Sequence, residues 1–176
     1  MKRRPDLLAM LLMVTFITTA EAACTDAAAP GVQWRRCILD GTDLSGSDLS
    51  GADLRDSSLK RVDLAGSRLV GVQAVRAKLV SSALSNTDLS EANLNQADLT
   101  SADLTNAKLI GASLRNARLY GADLRGADLT RTVLDGADLL RANLAGARWV
   151  DGRTICAEGS IGRCHAGPPA PAKVEG

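Results

Sequence analysis

The feature that most constrains this chain is a five-residue period that runs through its middle without an insertion. Of the 23 positions spaced five apart between residues 39 and 149, 21 are leucine, and the exceptions are Ala74 and Trp149. The residue two positions before each of these 23 positions is small, apart from Val62 and Val72. The residue two positions after is most often glycine, and elsewhere mostly Asn, Asp, Ser or Arg. A fold for this chain must therefore bury the same two residues of every five.

Neither an α-helix nor a flat strand satisfies this period. In an α-helix, five residues rotate the chain by about 500°, so successive leucines would spread around every face. In a flat strand, an odd period sends alternate leucines to opposite faces. A chain that turns a corner once every five residues buries all of them, because each side of the coil then points its leucine and its small residue inward. Glycine and asparagine suit the corner, since they tolerate the dihedral angles that turns require.

The repeated tracts resemble a known family. Residues 46–54, Gly-Ser-Asp-Leu-Ser-Gly-Ala-Asp-Leu, and residues 121–129, Gly-Ala-Asp-Leu-Arg-Gly-Ala-Asp-Leu, are similar to the repeats of the pentapeptide repeat family. The resemblance covers residues 37–151 and implies an all-β fold, a right-handed quadrilateral β-helix with four pentapeptides in each of about six coils. In such a solenoid the leucines and the small residues point inward, so the leucines are core rather than a ligand site.

Residues 1–22 are typical of a cleaved signal peptide. Basic residues at 2–4 precede an apolar run at 7–20, and small residues at 20 and 22 frame a cleavage site, so we expect the mature chain to start at Ala23. A transmembrane span is one alternative, but the run is shorter than the ~20 residues that a bilayer core requires. Lipid attachment at Cys24 is a second alternative, although bacterial lipoproteins generally carry a leucine three residues before that cysteine, where this chain has Glu21.

Four cysteines flank the repeat in two groups. Cys24 and Cys37 lie at its start, and Cys156 and Cys164 lie after it. An even number of cysteines in an exported chain indicates disulfides, and we expect pairing within each group because the rigid middle separates the groups. A metal ion bound by Cys156, Cys164 and His165 is the alternative, although the spacing is not that of common zinc sites.

The two ends of a β-helix need covering, since each coil buries its faces only on its neighbours. We expect residues 23–36 to form an N-terminal cap and residues 152–164 to form a cysteine-bounded C-terminal cap. Residues 149–164 resemble the closing segment of secreted proteobacterial pentapeptide proteins, which implies a periplasmic or secreted protein. Residues 165–176 are rich in Pro, Ala and Gly, and are predicted to be disordered. An uncovered end would favour end-to-end association of copies of the chain.

If 20 residues form one coil, residues 20 apart stack, and the outward columns follow from the sequence. Two columns alternate in charge, one from Asp48 to Arg148 and one from Lys78 to Asp138, and so neutralise themselves. A third column is acidic and a fourth is partly apolar, and these two predict an interaction surface. Its acidic members are Asp43, Asp63, Asp103 and Asp123, and its apolar members are Val80, Tyr120 and Leu140.

Composition and motifs limit the function. The chain has 21 Lys+Arg against 20 Asp+Glu, one histidine and four aromatic residues, which argues against nucleic-acid binding and histidine-dependent catalysis. It has no phosphate-binding loop, catalytic triad or metal motif. We therefore expect a non-catalytic protein without a cofactor, acting as a protein-interaction or structural module of the bacterial envelope with an unidentified protein partner.

Two alternatives to this function stay open. Some cytoplasmic pentapeptide proteins resemble duplex DNA in shape and charge and modulate DNA gyrase, which would require an acidic surface and a chain that is not exported. The other alternative is a lipid-anchored scaffold of the envelope, held at Cys24.

Overall fold

The computed structural model describes residues 24–167, so the predicted signal peptide at residues 1–22 lies outside the described part of the chain. Between residues 24 and 167 there is no helix, and the backbone pairs through isolated β-bridges rather than through longer strands. Twenty of these bridges are parallel, and each joins a residue to the one 20 positions later, from Gln33 with Asp53 to Asp128 with Arg148. The chain therefore forms a repeat β-helix whose stacked residues are four pentapeptides apart.

Each coil has four sides, which we number 1 to 4 by the first inward residue on each: Trp34, Leu39, Leu44 and Leu49. Residues 20 positions further along lie on the same side. Trp34 occupies a position of the leucine period and is only 2% exposed. Parallel pairing begins at Gln33, within the segment at residues 23–36 that was expected to be a cap.

The same hydrogen bonds recur in every repeat from Trp34 to Leu129, as the segment around Leu104 illustrates. The backbone N–H of Leu104 donates to the carbonyl of Asp123 (2.7 Å), and that of the corner residue Asn106 donates to the carbonyl of Arg125 (2.9 Å). Within the turn, the N–H of Ala107 donates to the carbonyl of Leu104 (3.0 Å). Each pentapeptide thus contributes bonds to the next coil and one bond that closes its own corner.

Every corner residue adopts a left-handed backbone conformation. All 24 corner positions spaced five apart from 31 to 146 have φ between 54° and 72°, and only 11 of them are glycine. Bulky residues such as Arg76 and Glu91 adopt this conformation too. A left-handed residue with a side chain costs about 1–2 kcal/mol. The corner N–H groups offset this cost through bonds to the next coil, such as that from Arg76 to Asn95 (3.0 Å).

The leucine period forms the core, as predicted. The inward residues between Leu49 and Leu129 are at most 3% exposed. Each such leucine contributes about 1.5–3 kcal/mol relative to an exposed one. Leu44, Leu134 and Leu139 lie in the terminal coils and are only partly buried. Burial is therefore complete in the middle of the helix and incomplete at its ends.

Some of the small residues two positions before a residue of the leucine period are serine or threonine. These are also buried, because a backbone carbonyl accepts a hydrogen bond from each hydroxyl. The hydroxyls of Ser57, Ser67, Ser82 and Thr87 donate to the carbonyl of the leucine three residues earlier, at 2.5–2.7 Å. Serine and threonine therefore replace alanine at this position without leaving an unpaired hydroxyl.

At the C-terminal end the chain reverses direction. Three antiparallel bridges pair Asn143 with Ile161, Arg148 with Ile155, and Cys156 with Ala166. A disulfide joins Cys156 to Cys164, so the segment is closed on itself. His165, Ala166 and Gly167 were expected to belong to a disordered tail, but they are hydrogen-bonded into this segment. The remainder of the predicted tail lies outside the described residues.

At the N-terminal end a second disulfide joins Cys24 to Cys37, whose Cα atoms are 5.4 Å apart. Both disulfides are therefore the local pairs. Because the sulfur of Cys24 is bonded to that of Cys37, it has no valence left for a lipid, and the alternative of lipid attachment at Cys24 is incompatible with this structure.

Within the described range, no helix has the length and apolarity needed to cross a bilayer.

Candidate functional site

The acidic and apolar columns predicted from the sequence flank one corner of the β-helix. Bridges stack Asp43 on Asp63 and Asp103 on Asp123 along side 3, with Ala83 between the two pairs. Val80, Tyr120 and Leu140 lie on side 2, each immediately before the corner that leads to side 3. We call this surface, made of the four aspartates and the three apolar residues, the acidic–apolar corner.

Each aspartate of this surface also has a local structural role. Its Oδ1 accepts the backbone N–H of the residue two positions later, at 3.0 Å for Asp43, 2.9 Å for Asp63, 3.0 Å for Asp103 and 3.1 Å for Asp123. The same bond occurs at aspartates on the other sides, such as Asp48 and Asp128. The frequent Asp-Leu pair of the repeat is therefore explained by turn formation.

The carboxylates keep negative charge available on this surface. Hydrogen bonds from the backbone N–H and hydroxyl of Ser45 lower the pKa of Asp43. The guanidinium of Arg125 donates to Asp123 at 2.7 Å and lowers the pKa of that carboxyl. Asp43, Asp63 and Asp103 form no ion pair among residues 24–167. Within the column, the direct ion pair therefore lies at Asp123, near the C-terminal end.

The apolar column becomes more exposed toward the C-terminal end. The side chains of Val80 and Tyr120 are half-buried, whereas Leu140 is 61% exposed. The guanidinium carbon of Arg141 lies 5.7 Å from the centroid of the Tyr120 ring, which is within the range of a cation–π contact. The coil that contains Tyr120 and Asp123 therefore presents aromatic, acidic and basic groups side by side.

The columns of alternating charge contain ion pairs between consecutive coils. Arg118 lies 3.6 Å from Asp98 on side 2, and Arg148 lies 3.6 Å from Asp128 on side 4. Exposed pairs of this kind contribute about 0–1 kcal/mol each. These columns are thus better explained as solvated, self-neutralising surface than as binding sites.

A basic cluster near the N-terminal end was missed by the sequence analysis. Arg76 donates to Asp56 at 2.7 Å, and Arg35 approaches the same carboxylate at 3.9 Å, while Arg55 pairs with Asp53. Arg76, and to a lesser extent Arg35 and Arg36, lower the pKa of Asp56. The sequence signal for this cluster is the recurrence of arginine in two adjacent columns, at residues 35 and 55 and at residues 36 and 76.

The described residues contain no grouping of three or more His, Cys, Asp or Glu side chains that could hold a metal ion. The three residues of the alternative metal site make other contacts. The sulfurs of Cys156 and Cys164 are bonded to each other, and Nε2 of His165 accepts a hydrogen bond from Nε of Arg163 at 2.9 Å. These three residues are therefore part of the C-terminal segment and do not form a metal site in this structure.

The family model for pentapeptide repeats matches the chain in 8 copies, at residues 20–56, 57–96, 77–116, 97–135 and 112–148. The chain belongs to the pentapeptide repeat family. Proteins of this family are generally structural or interaction modules rather than enzymes. A comparison with curated proteins finds no match for the chain.

Two solved structures of pentapeptide repeat proteins are similar to this one. The first, from the thylakoid lumen of Arabidopsis thaliana, is 36% identical with a TM-score of 0.54, and the match covers 55% of this chain and 68% of that one. The second, Rfr23 from the cyanobacterium Cyanothece 51142, is 26% identical with a TM-score of 0.54, and the match covers 66% of this chain and 90% of that one. The family thus accounts for the fold.

Proposed function

We propose that this protein is a non-catalytic, exported rod that acts as a protein-interaction or structural module of the bacterial envelope, and that the acidic–apolar corner contacts its partner. The observation that carries the proposal is that one corner is flanked by four stacked carboxylates on side 3, of which only Asp123 has an ion-pair partner among residues 24–167, and by apolar side chains on side 2. A partner segment that places basic and apolar side chains next to each other would complement this surface.

The proposed architecture is a right-handed quadrilateral β-helix of about six coils, with a disulfide-bounded cap at each end. Leucine packing and the two disulfides support a rigid rod, and rigidity favours binding because little conformational entropy is lost on contact. Each coil presents the same side positions, so a partner can bind across several coils at once. Such a rod needs no active site to position proteins in the envelope.

Export is supported by the signal-peptide pattern of residues 1–22 and by the presence of two disulfides, since disulfides persist in oxidising compartments. The intact mass of the protein from its bacterial host, measured with and without reduction, tests this point. A mass of residues 23–176 without free thiols would agree with export. An uncleaved chain with four free thiols would contradict export and would favour the alternative of a DNA mimic that modulates DNA gyrase.

Site-specific photo-crosslinking in the envelope tests the proposed surface. A photoreactive residue replaces Tyr120 in one variant and Ile110 in the other, because Ile110 is also half-buried and holds the same position in the repeat on side 4. We expect a discrete protein adduct from position 120 and none from position 110. Equal adducts from both positions would contradict the proposal.

The contribution of the acidic column to partner binding is tested in the variant that carries the photoreactive residue at position 120. Asp103→Asn and Asp123→Asn remove two charges and keep an amide oxygen for the turn, as Asn143 does when it accepts the N–H of Ala145 (3.1 Å). We expect the adduct to weaken at least tenfold. An unchanged adduct would show that the acidic column takes no part in binding.

A further inference from the structure

Positive charge is concentrated on side 2 of the first three coils and at the two corners of that side. Residues 36–41, 56–61 and 76–81 form this surface, since bridges stack Ile38 on Ser58 and Ser58 on Lys78. It carries five cations, two carboxylates and one exposed apolar side chain. We call these eight residues the basic face: Arg36, Lys60, Arg61, Arg76 and Lys78, with Asp40, Asp56 and Ile38.

The excess of positive charge is local to this face. On the opposite side of the rod, residues 46–51, 66–71 and 86–91 carry one cation against three carboxylates. Further along side 2, Asp98 stacks on Lys78, and the last three coils carry two cations and two carboxylates there. The rod is therefore polarised across its N-terminal half, although the net charge of the whole chain is only +1.

Most of these cations are not neutralised within the protein. Arg76 is paired with Asp56 at 2.7 Å. The other four cations of the face form no ion pair among residues 24–167. Arg36, Arg61 and Lys78 are also exposed to solvent. Coils stack about 4.8 Å apart, so three coils span roughly one Debye length at physiological salt, and the cations act together on a charged partner.

The apolar member of the face lies among the cations. Ile38 is 78% exposed, which is the largest exposure of the large hydrophobic residues between 24 and 167. It stands two positions after Arg36, and the next coil places Lys60 and Arg61 on the same side. Cations around a projecting apolar side chain suit the interface of a lipid bilayer, where phosphates lie next to acyl chains.

The backbone under the face favours a bilayer over an acidic protein segment. The N–H of Ser58 donates to the carbonyl of Cys37 (2.8 Å), and the N–H of Leu59 donates to the carbonyl of Lys78 (2.8 Å). The middle of the face is therefore bonded on both sides, and an extended peptide cannot add a strand there. A sheet surface with cations spread over three coils instead matches a planar array of phosphates.

From these observations we infer that the basic face docks the protein on the surface of an anionic phospholipid bilayer. Its guanidinium and ammonium groups contact lipid phosphates, and Ile38 enters the boundary between headgroups and acyl chains. None of its residues belongs to the acidic–apolar corner, so the inference does not rest on the protein partner proposed above.

Co-sedimentation of the oxidised mature protein with lipid vesicles tests the inference. One arm uses equal parts of phosphatidylglycerol and phosphatidylcholine, and the other uses phosphatidylcholine alone. We expect binding to the anionic vesicles only, weakened about tenfold or more when the salt concentration rises from about 0.05 M to about 0.5 M. Equal binding to both kinds of vesicle, or to neither, would overturn the inference. Binding to soluble poly-glutamate but not to anionic vesicles would identify an acidic protein segment as the partner and refute it.

Two matched double variants test whether the basic face is the surface that binds. Arg61→Asn and Lys78→Gln remove two exposed cations from the face. Arg131→Asn and Lys108→Gln remove two exposed cations from the same repeat positions on side 4. Arg61 and Arg131 are both left-handed corner residues, with φ of 54° and 58°, and asparagine tolerates this conformation.

The two variants should differ clearly in vesicle binding. Each cation near an anionic bilayer strengthens binding about fivefold, so the first variant should bind about 25-fold more weakly. The side 4 variant has the same net charge and should lose much less. Equal losses would show that binding follows net charge rather than the basic face, and would contradict the inference.

A further pair of variants tests the apolar contact. Ile38→Ser should weaken binding to the anionic vesicles about fivefold, since part of the apolar side chain no longer leaves water. Ile161→Ser is the control, because Ile161 is 50% exposed in the C-terminal segment, away from the face. Its binding should equal that of the wild type. Wild-type binding by the Ile38 variant would contradict the entry of this side chain into the bilayer.

Discussion

The body of the molecule, residues 31–150, and its C-terminal segment, residues 151–167, follow different rules. In the body every bridge is parallel and spans 20 residues, so each coil repeats the bonds of the one before. In the segment the bridges are antiparallel, and a disulfide between Cys156 and Cys164 closes it. The comparison indicates that stability in the body is shared among many similar repeats, whereas in the segment it depends on a few individual contacts.

The largest expected effect is in the middle of the body. Leu104→Ala removes a fully buried side chain between two complete coils, so we expect the free energy of unfolding to fall by about 2–5 kcal/mol. Chemical denaturation measures the change. Leu134→Ala is the matched control, because that leucine is only partly buried, and it should cost less. Equal losses would contradict the difference in burial between the middle and the end.

The next effect is in the segment. Cys156→Ser removes the disulfide and should lower stability by roughly 2–4 kcal/mol, as is typical of a native disulfide. The amides of Leu144 and Gly146, which donate to residues of the segment, should lose hydrogen-exchange protection, while that of Leu104 keeps most of its protection. If all three amides lost protection together, the body and the segment would form one cooperative unit and the comparison would fail.

A smaller effect is expected at a corner of the body. Gly46 has a φ of 63°, and a Cβ added to it would have nothing within 4 Å, so Gly46→Ala introduces backbone strain without a clash. We expect a loss of about 1–2 kcal/mol in thermal or chemical unfolding. Gly46→Asn is the control and should cost less, since asparagine tolerates this conformation. An alanine variant as stable as the wild type would show that the corners store no strain.

The smallest effect concerns the junction of the two regions. The hydroxyl and N–H of Thr154 and the N–H of Arg153 donate to Asp151 and lower its pKa from 3.8 to about 2. Because the pKa is lower in the folded state, the carboxylate stabilises the fold above pH 3.8, and this contribution is lost as the pH falls through about 2.

Asp151→Asn should therefore be less stable than the wild type at neutral pH and should lose less stability on acidification. Denaturation midpoints of both proteins at pH 6 and near pH 2 measure the difference. Parallel pH profiles for the two proteins would contradict a role for this carboxylate at the junction.

Much of the body could be predicted because its information is local and repeated. The inward position of Leu104, the stacking of Asp103 on Asp123 and the corner at Gly46 all follow from the period alone. Sequence reasoning assigned the aspartates to an outer surface but missed their bond to the N–H two residues later, since a pattern locates a side chain without showing its partner. It also missed the basic cluster around Asp56, because Arg35 and Arg76 belong to different columns and only the folded structure brings both to the same carboxylate.

The sequence by itself determined the interior of this protein, because a strict five-residue period leaves one way to bury every leucine. It also determined which outward residues stack, since a constant period of 20 residues sets every column. Only the tertiary structure decided how the last coil is covered. The segment after Trp149 has no repeat, so its antiparallel pairing and its side of attachment depend on contacts between residues whose spacing follows no pattern.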